Sequence, residues 1–119
     1  AANLSAEGRD DVPEFFLCAA LEGHEGDVRS LAVGARHLYS GARDNAVMAW
    51  ELDKNGHIGG IHRSPSAKTP LPDWVNALTV RQGESEVVVG GCKDGGIYVM
   101  EWKGGIEASG GEKRLVVEK

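Results

Sequence analysis

The feature that most constrains this chain is an internal repeat. Residues 21–52 open on Gly23-His24, pass through two β-prone stretches, turn at Arg43-Asp44-Asn45 and close on Val47, Met48, Ala49 and Trp50. A later stretch follows the same plan. Val28, Leu31 and Val33 align on Val75, Leu78 and Val80, and Ser40-Gly41-Ala42-Arg43-Asp44 aligns on Gly90-Gly91-Cys92-Lys93-Asp94. In both copies apolar and polar residues alternate, as in a strand with one buried face. The spacing lengthens between these landmarks because Arg81-Gln82-Gly83-Glu84-Ser85-Glu86 is a longer hairpin connection than Gly34-Ala35-Arg36-His37. A unit of this length cannot cover its own sheet faces and needs a neighbour.

The strands follow from the same pattern. Residues 27–33, 37–42 and 46–52 are expected as three strands of a first sheet, with a weak outer strand near 57–62. Residues 74–80, 86–92 and 96–102 are expected as three strands of a second. Asp44-Asn45 tolerates the left-handed backbone of a tight hairpin, and Lys93-Asp94-Gly95-Gly96 reads as the matching turn. Between the sheets, residues 63–70 read as an exposed linker, because Pro65, Pro70 and Pro72 remove ladder donors in and beside it. Residues 1–13 are polar and acidic without periodicity and are expected as a disordered lead-in. Residues 104–119 are expected as an outer strand or a mobile tail. Helical periodicity is absent throughout.

This order of elements resembles the WD repeat of β-propellers, whose signature is an early Gly-His and a late Trp followed by an acidic residue, here Trp50-Glu51. The resemblance implies an all-β fold: a propeller fragment of about two four-stranded antiparallel blades, over 21–62 and 71–103. Sequence repeats and structural blades are out of phase in such proteins. The β-prone stretch 15–20, directly before Gly-His, is therefore expected as an N-terminal strand that closes the ring. Propellers need about 4–8 blades. Ring closure then calls for further blades or for other copies of the chain.

Composition excludes several classes. The chain has 13 Lys and Arg against 18 Asp and Glu, a formal net charge of −5, whereas a phosphate-backbone partner calls for a basic surface. No apolar run approaches the roughly 18–20 residues of a membrane span, and the first residues lack the basic and apolar regions of a signal peptide. A cytoplasmic protein, with the nucleus as a second compartment, is the expectation. Cys18 and Cys92 each fall in a strand-like run and are expected as buried thiols. With His24, His37, His57 and His62 they show no zinc spacing, so neither metal nor cofactor is expected. The glycines of 90–96 lie in a strand–turn–strand context and not in a phosphate loop.

Carried over residue by residue, the hydrogen-bonded chain that WD repeats hold inside a blade falls on His24, Ser40, Asp44 and Trp50. All four are assigned to stability, since buried polar groups must find partners. A catalytic reading of Ser40, His24 and Asp44 lacks a nucleophile elbow, and no enzyme is expected. The second copy has Leu71, Gly90, Asp94 and Met100 at those places, so its internal network is in doubt. Trp102 lies beyond the position of the signature Trp and is expected to pack between blades. A propeller's usual docking face gathers the loops that carry Asp27, Arg29, Arg43, Trp74 and Lys93. These five are the candidate partner-binding residues, with Trp and Arg the types that most often dominate interfaces.

A closer resemblance rests on the run FFLCAALEGHEGDVRSLAV, the Pro-containing linker, Trp74-Val75-Asn76-Ala77-Leu78 and Gly90-Gly91-Cys92-Lys93-Asp94-Gly95. These features are similar to the first two blades of the phospholipase A-2-activating protein family, in which a His-x-x-Asp-Val-Arg element is followed by a blade lacking Gly-His. The resemblance covers about residues 15–102. It implies a non-catalytic, ubiquitin-binding adaptor that works with an AAA unfoldase in ubiquitin-dependent degradation. The alternative is a structural scaffold subunit of another multiprotein assembly.

Overall fold

In the computed structural model, residues 13–103 and the strand backbone of 114–118 are described. The expected lead-in therefore lies outside the described residues except for Pro13. Among the described residues there is no helix, and so none long and apolar enough to cross a membrane. The strands are β1 (Ala19–Leu21), β2 (Val28–Val33), β3 (His37–Ala42), β4 (Ala46–Glu51), β5 (Gly60–His62), β6 (Ala67–Pro70), β7 (Val75–Arg81), β8 (Val87–Cys92), β9 (Ile97–Lys103) and β10 (Arg114–Glu118).

Two four-stranded antiparallel sheets, ordered β2-β3-β4-β6 and β7-β8-β9-β10, form an open propeller-like fragment with no closed barrel. The hairpins match in detail. Asn45 at φ +66° and Gly95 at φ +89° hold equivalent places in the β3–β4 and β8–β9 turns. Only a residue that tolerates left-handed backbone fits there. Each first strand also carries a register shift at its start, between Val28 and Ser30 and between Val75 and Ala77.

The outer strand of the first sheet departs from expectation. It is β6, inside the stretch read as a linker, and it pairs with β4 from Ala46↔Pro70 to Ala49↔Ala67. An edge strand needs ladder donors on one side alone, so proline is tolerated at its ends. Pro70 has no N–H, and the amide of Leu71 donates to Asn45 O at 2.7 Å instead, while Ser66 N donates to Ala49 O at 2.7 Å. The segment expected to be that outer strand contributes β5, which pairs in parallel with β1 as a separate two-stranded sheet. The N-terminal strand is likewise shorter than expected. Phe15, Phe16 and Leu17 are exposed and lie outside it, and Cys18 is exposed, against the buried thiol expected there. At the other end, β10 pairs with β9 as the outer strand of the second sheet; residues 104–113 lie outside the described residues.

The core lies between the two sheets. Tyr39, Val47 and Ala49 of the first sheet cluster with Val75, Val88, Cys92, Tyr98 and Met100 of the second, and Tyr39, Val47, Val75, Val88 and Met100 are fully buried. Leu78, Val80 and Trp102 pack against this cluster. Close approach is made possible by Gly41. A Cβ there would collide with Val75 and come 2.7 Å from Ser30 Oγ, whose hydroxyl donates to Val75 O at 3.3 Å.

Candidate functional site

Ladder pairing puts Ser40 opposite Leu31 and Met48 on one face of the first sheet, and the segment before β2 folds back over that face. This brings His24 onto Ser40. Trp50 Nε1 donates to Ser40 Oγ at 2.9 Å, His24 Nε2 lies 2.7 Å from the same oxygen, and His24 Nδ1 lies 3.0 Å from Asp44 Oδ2. Asp44 is ionised and only accepts, so Nδ1 carries the proton. A neutral imidazole then accepts the Ser40 hydroxyl proton at Nε2. Each side-chain N–H and O–H of the chain Trp50–Ser40–His24–Asp44 thereby has an acceptor, with Ser40 buried. Asp44 also accepts from Glu25 N at 2.9 Å and Ala46 N at 3.2 Å. Burial pushes the Asp44 carboxyl up, but these amides and His24 outweigh it and hold it below the ordinary carboxylate value.

In the second sheet the same places are apolar. A Cβ on Gly90 would lie 3.4 Å from Met100 Cε and 3.6 Å from Leu71 Cδ1, so the residues that replace Trp50, Ser40 and His24 still meet. The aspartate keeps its local role. Asp94 Oδ1 accepts from Gly96 N at 2.8 Å, as Asp44 accepts from Ala46, and Asp94 Oδ2 accepts from the Tyr98 hydroxyl at 2.8 Å.

A second polar cluster joins the two sheets, and sequence patterning alone did not reveal it. Glu86, which precedes β8, is 5% exposed. It accepts from the Tyr39 hydroxyl at 2.6 Å and from Arg36 N at 2.6 Å, and His37 Nδ1 lies 3.0 Å away. Trp102 Nε1 donates to Tyr39 Oη at 2.9 Å, and the His37 ring stacks on Trp102 with centroids 4.5 Å apart. Burial acts against the Glu86 charge, but Tyr39, the Arg36 amide and His37 win and hold its carboxyl low. The Tyr39 hydroxyl is pushed above its ordinary value, first by burial and then by Glu86.

The candidate partner-binding residues lie at the turn end of both sheets. Arg43 and Lys93 hold equivalent positions, and each reaches the Trp74 ring, Arg43 Cζ and Lys93 Nζ both 4.3 Å from its centroid. Backbone bonds fix the frame: Arg43 N donates to Asp27 O at 2.8 Å, and Lys93 N donates to Trp74 O at 3.0 Å. The Arg43 guanidinium also lies 3.3 Å from the Asp27 carboxylate. Asp27, Arg43, Trp74 and Lys93 thus form one cluster, with Trp74 half-buried. Arg29 is exposed at the register shift of β2 and takes no part in these contacts. Among the described residues, no group of His, Cys, Asp and Glu is arranged to hold a metal ion.

No protein-family profile matches the chain. It is similar to "Zinc finger CCCH domain-containing protein 62" of Arabidopsis thaliana, at 44% identity over 39 residues, which is 33% of this chain and 9% of that protein. Among solved structures it is similar to the computationally designed Ika4 protein, with a TM-score of 0.54 and 25% identity over 74% of this chain and 49% of that one. The chain thus spans about half of the solved structure and a small part of the plant protein it matches.

Proposed function

We propose that this chain is a non-catalytic WD-repeat interaction module that binds a protein partner at the turn end of its two sheets. The observation that carries the reading is Trp74 with Arg43 and Lys93 over its ring. The three side chains come from three different turns, two of them in equivalent positions, and combine apolar area with positive charge at a half-buried site. Trp and Arg in such settings dominate interface energetics. Ser40, whose hydroxyl lies between the His24 imidazole and the Trp50 indole, is buried and bonded to both, which supports a structural role for it. The finer reading, carried by the family resemblance, is an adaptor for ubiquitin in ubiquitin-dependent degradation with an AAA unfoldase, in the cytoplasm and nucleus. The Arabidopsis relative's name contributes no zinc chemistry here, because a CCCH centre takes three cysteines and this chain has two.

NMR of labelled ubiquitin titrated with this chain tests the reading. Shifts confined to ubiquitin's hydrophobic patch, lost with Trp74→Ala, are the expected result. An unperturbed spectrum overturns the ubiquitin reading and leaves the scaffold alternative, which the bare apolar side chains Leu31, Val33 and Ile97 favour.

A further inference from the structure

The two sheets use opposite faces to meet, and on the face that its counterpart uses each leaves the matching contact side chains exposed. On the first sheet the segment that carries His24 covers Ser40 there, as Leu71 meets Gly90 in the second, and leaves Leu31 and Val33 bare. The second sheet presents Leu78 and Val80 to the first, packed against the shared core. Their repeat equivalents, Leu31 and Val33, point from the free face of the first sheet and are 62% and 66% exposed. The first sheet presents Val47, fully buried, to the second; its equivalent Ile97, on the free face of the second sheet, is 70% exposed. One end of the fragment is therefore an unfilled copy of the surface that receives a sheet. The other end is an unfilled copy of the surface that is received.

We propose that copies of this chain associate head to tail, the Ile97 face of one copy packing on the Leu31 and Val33 face of the next. The contact continues the interface already present between the sheets, with aliphatic side chains at the same places in the repeat. It is a heterologous contact, which closes into a ring when the rotation allows and otherwise runs on. The matched designed chain is about half covered by this one, which leaves room for a second such unit in a body of that kind. This inference is independent of any docking at Trp74.

Sedimentation of the 119-residue chain over a range of concentrations, alone and as Leu31→Glu and Ile97→Glu, tests it. Both substitutions are at exposed positions, and circular dichroism checks that the strands persist. The wild-type chain is expected to sediment as two or more copies, and each variant alone as one. Mixing the two variants in equal amounts is expected to restore a species of two chains, since each supplies the face that the other has lost. Irregular aggregates dissolved by either substitution also support the contact. A wild-type chain that stays single, a multimer unaffected by Ile97→Glu, or aggregates that persist in both variants would overturn it.

Discussion

Tyr39 of the first sheet donates its hydroxyl to Glu86 of the second over 2.6 Å, and the same hydroxyl accepts the Trp102 indole N–H at 2.9 Å. One buried carboxylate thus ties together a strand of each sheet and the connection before β3. Removing Glu86 takes the acceptor from the buried Tyr39 hydroxyl and from the Arg36 amide, and the partner from His37 Nδ1. Glu86→Ala is expected to destabilise the chain by at least about 1–3 kcal/mol, the cost of an orphaned buried polar group. Tyr39→Phe, which leaves Glu86 its Arg36 and His37 partners, is expected to cost less. Urea unfolding of both variants checks the order.

Asp44 and Glu86 both titrate below their ordinary values in the folded state. The sign follows from linkage: a depressed carboxyl contributes stability that is fully present above its unfolded value and is lost as pH falls through the folded one. The melting temperature is therefore expected to fall as pH drops through about 4.5, where an unfolded Glu is half protonated. The fall should be shallower in Glu86→Gln. Melting curves between neutral pH and pH 3 measure both.

The chain Trp50–Ser40–His24–Asp44 makes a paired expectation. Ser40→Ala strips the acceptor from a buried indole N–H and should cost about 1–3 kcal/mol. The reverse change, Gly90→Ser, puts a hydroxyl among Leu71, Leu78 and Met100, where no imidazole waits for it. A Cβ there would already sit 3.3–3.6 Å from those side chains. It too should destabilise, and chemical denaturation of the two variants compares them.

Much of this was legible in the sequence. The six core strands could be read because alternation and turn residues act locally: Asp44-Asn45 and Asp94-Gly95 announce their hairpins without help from the rest of the chain. The four residues of the hydrogen-bonded chain in the first sheet were named by the resemblance to WD repeats, carried over residue by residue. What could not be read depends on partners distant in sequence. Residues 67–70 became a strand because β4 offers an edge, and no local signal separates an edge strand with Pro70 at its end from an exposed loop. Glu86 stands where a hairpin connection meets the strand expected over 86–92, and neither place gives away its burial. Its burial is set by Tyr39, His37 and the Arg36 amide, which the packing of one sheet on the other brings to it. A charge placed directly before the strongly β-prone Val87-Val88-Val89 was the one available hint.

Gly41 sets how closely the sheets approach. Gly41→Ala would drive a methyl group into Val75 and the Ser30 hydroxyl, both held by the fold. Overpacking of this kind typically costs about 1–3 kcal/mol. At Gly91, the equivalent residue on the free face of the second sheet, an added methyl group would meet nothing within 4 Å of the same chain. Gly91→Ala should therefore be far milder when both changes are made in the Leu31→Glu chain, which is expected to stay single. Thermal melts of the two variants give the contrast.

The central claim is that two equivalent sheets lie side by side and share one core. The most direct measurement is a methyl-resolved nuclear Overhauser spectrum of the chain in solution. Cross-peaks between the γ-methyls of Val75 and the α-protons of Gly41, and between the Trp102 indole proton and the Tyr39 ring, are the expected result. Intact strands without either cross-peak would mean that the sheets do not pack as described, and would contradict the account.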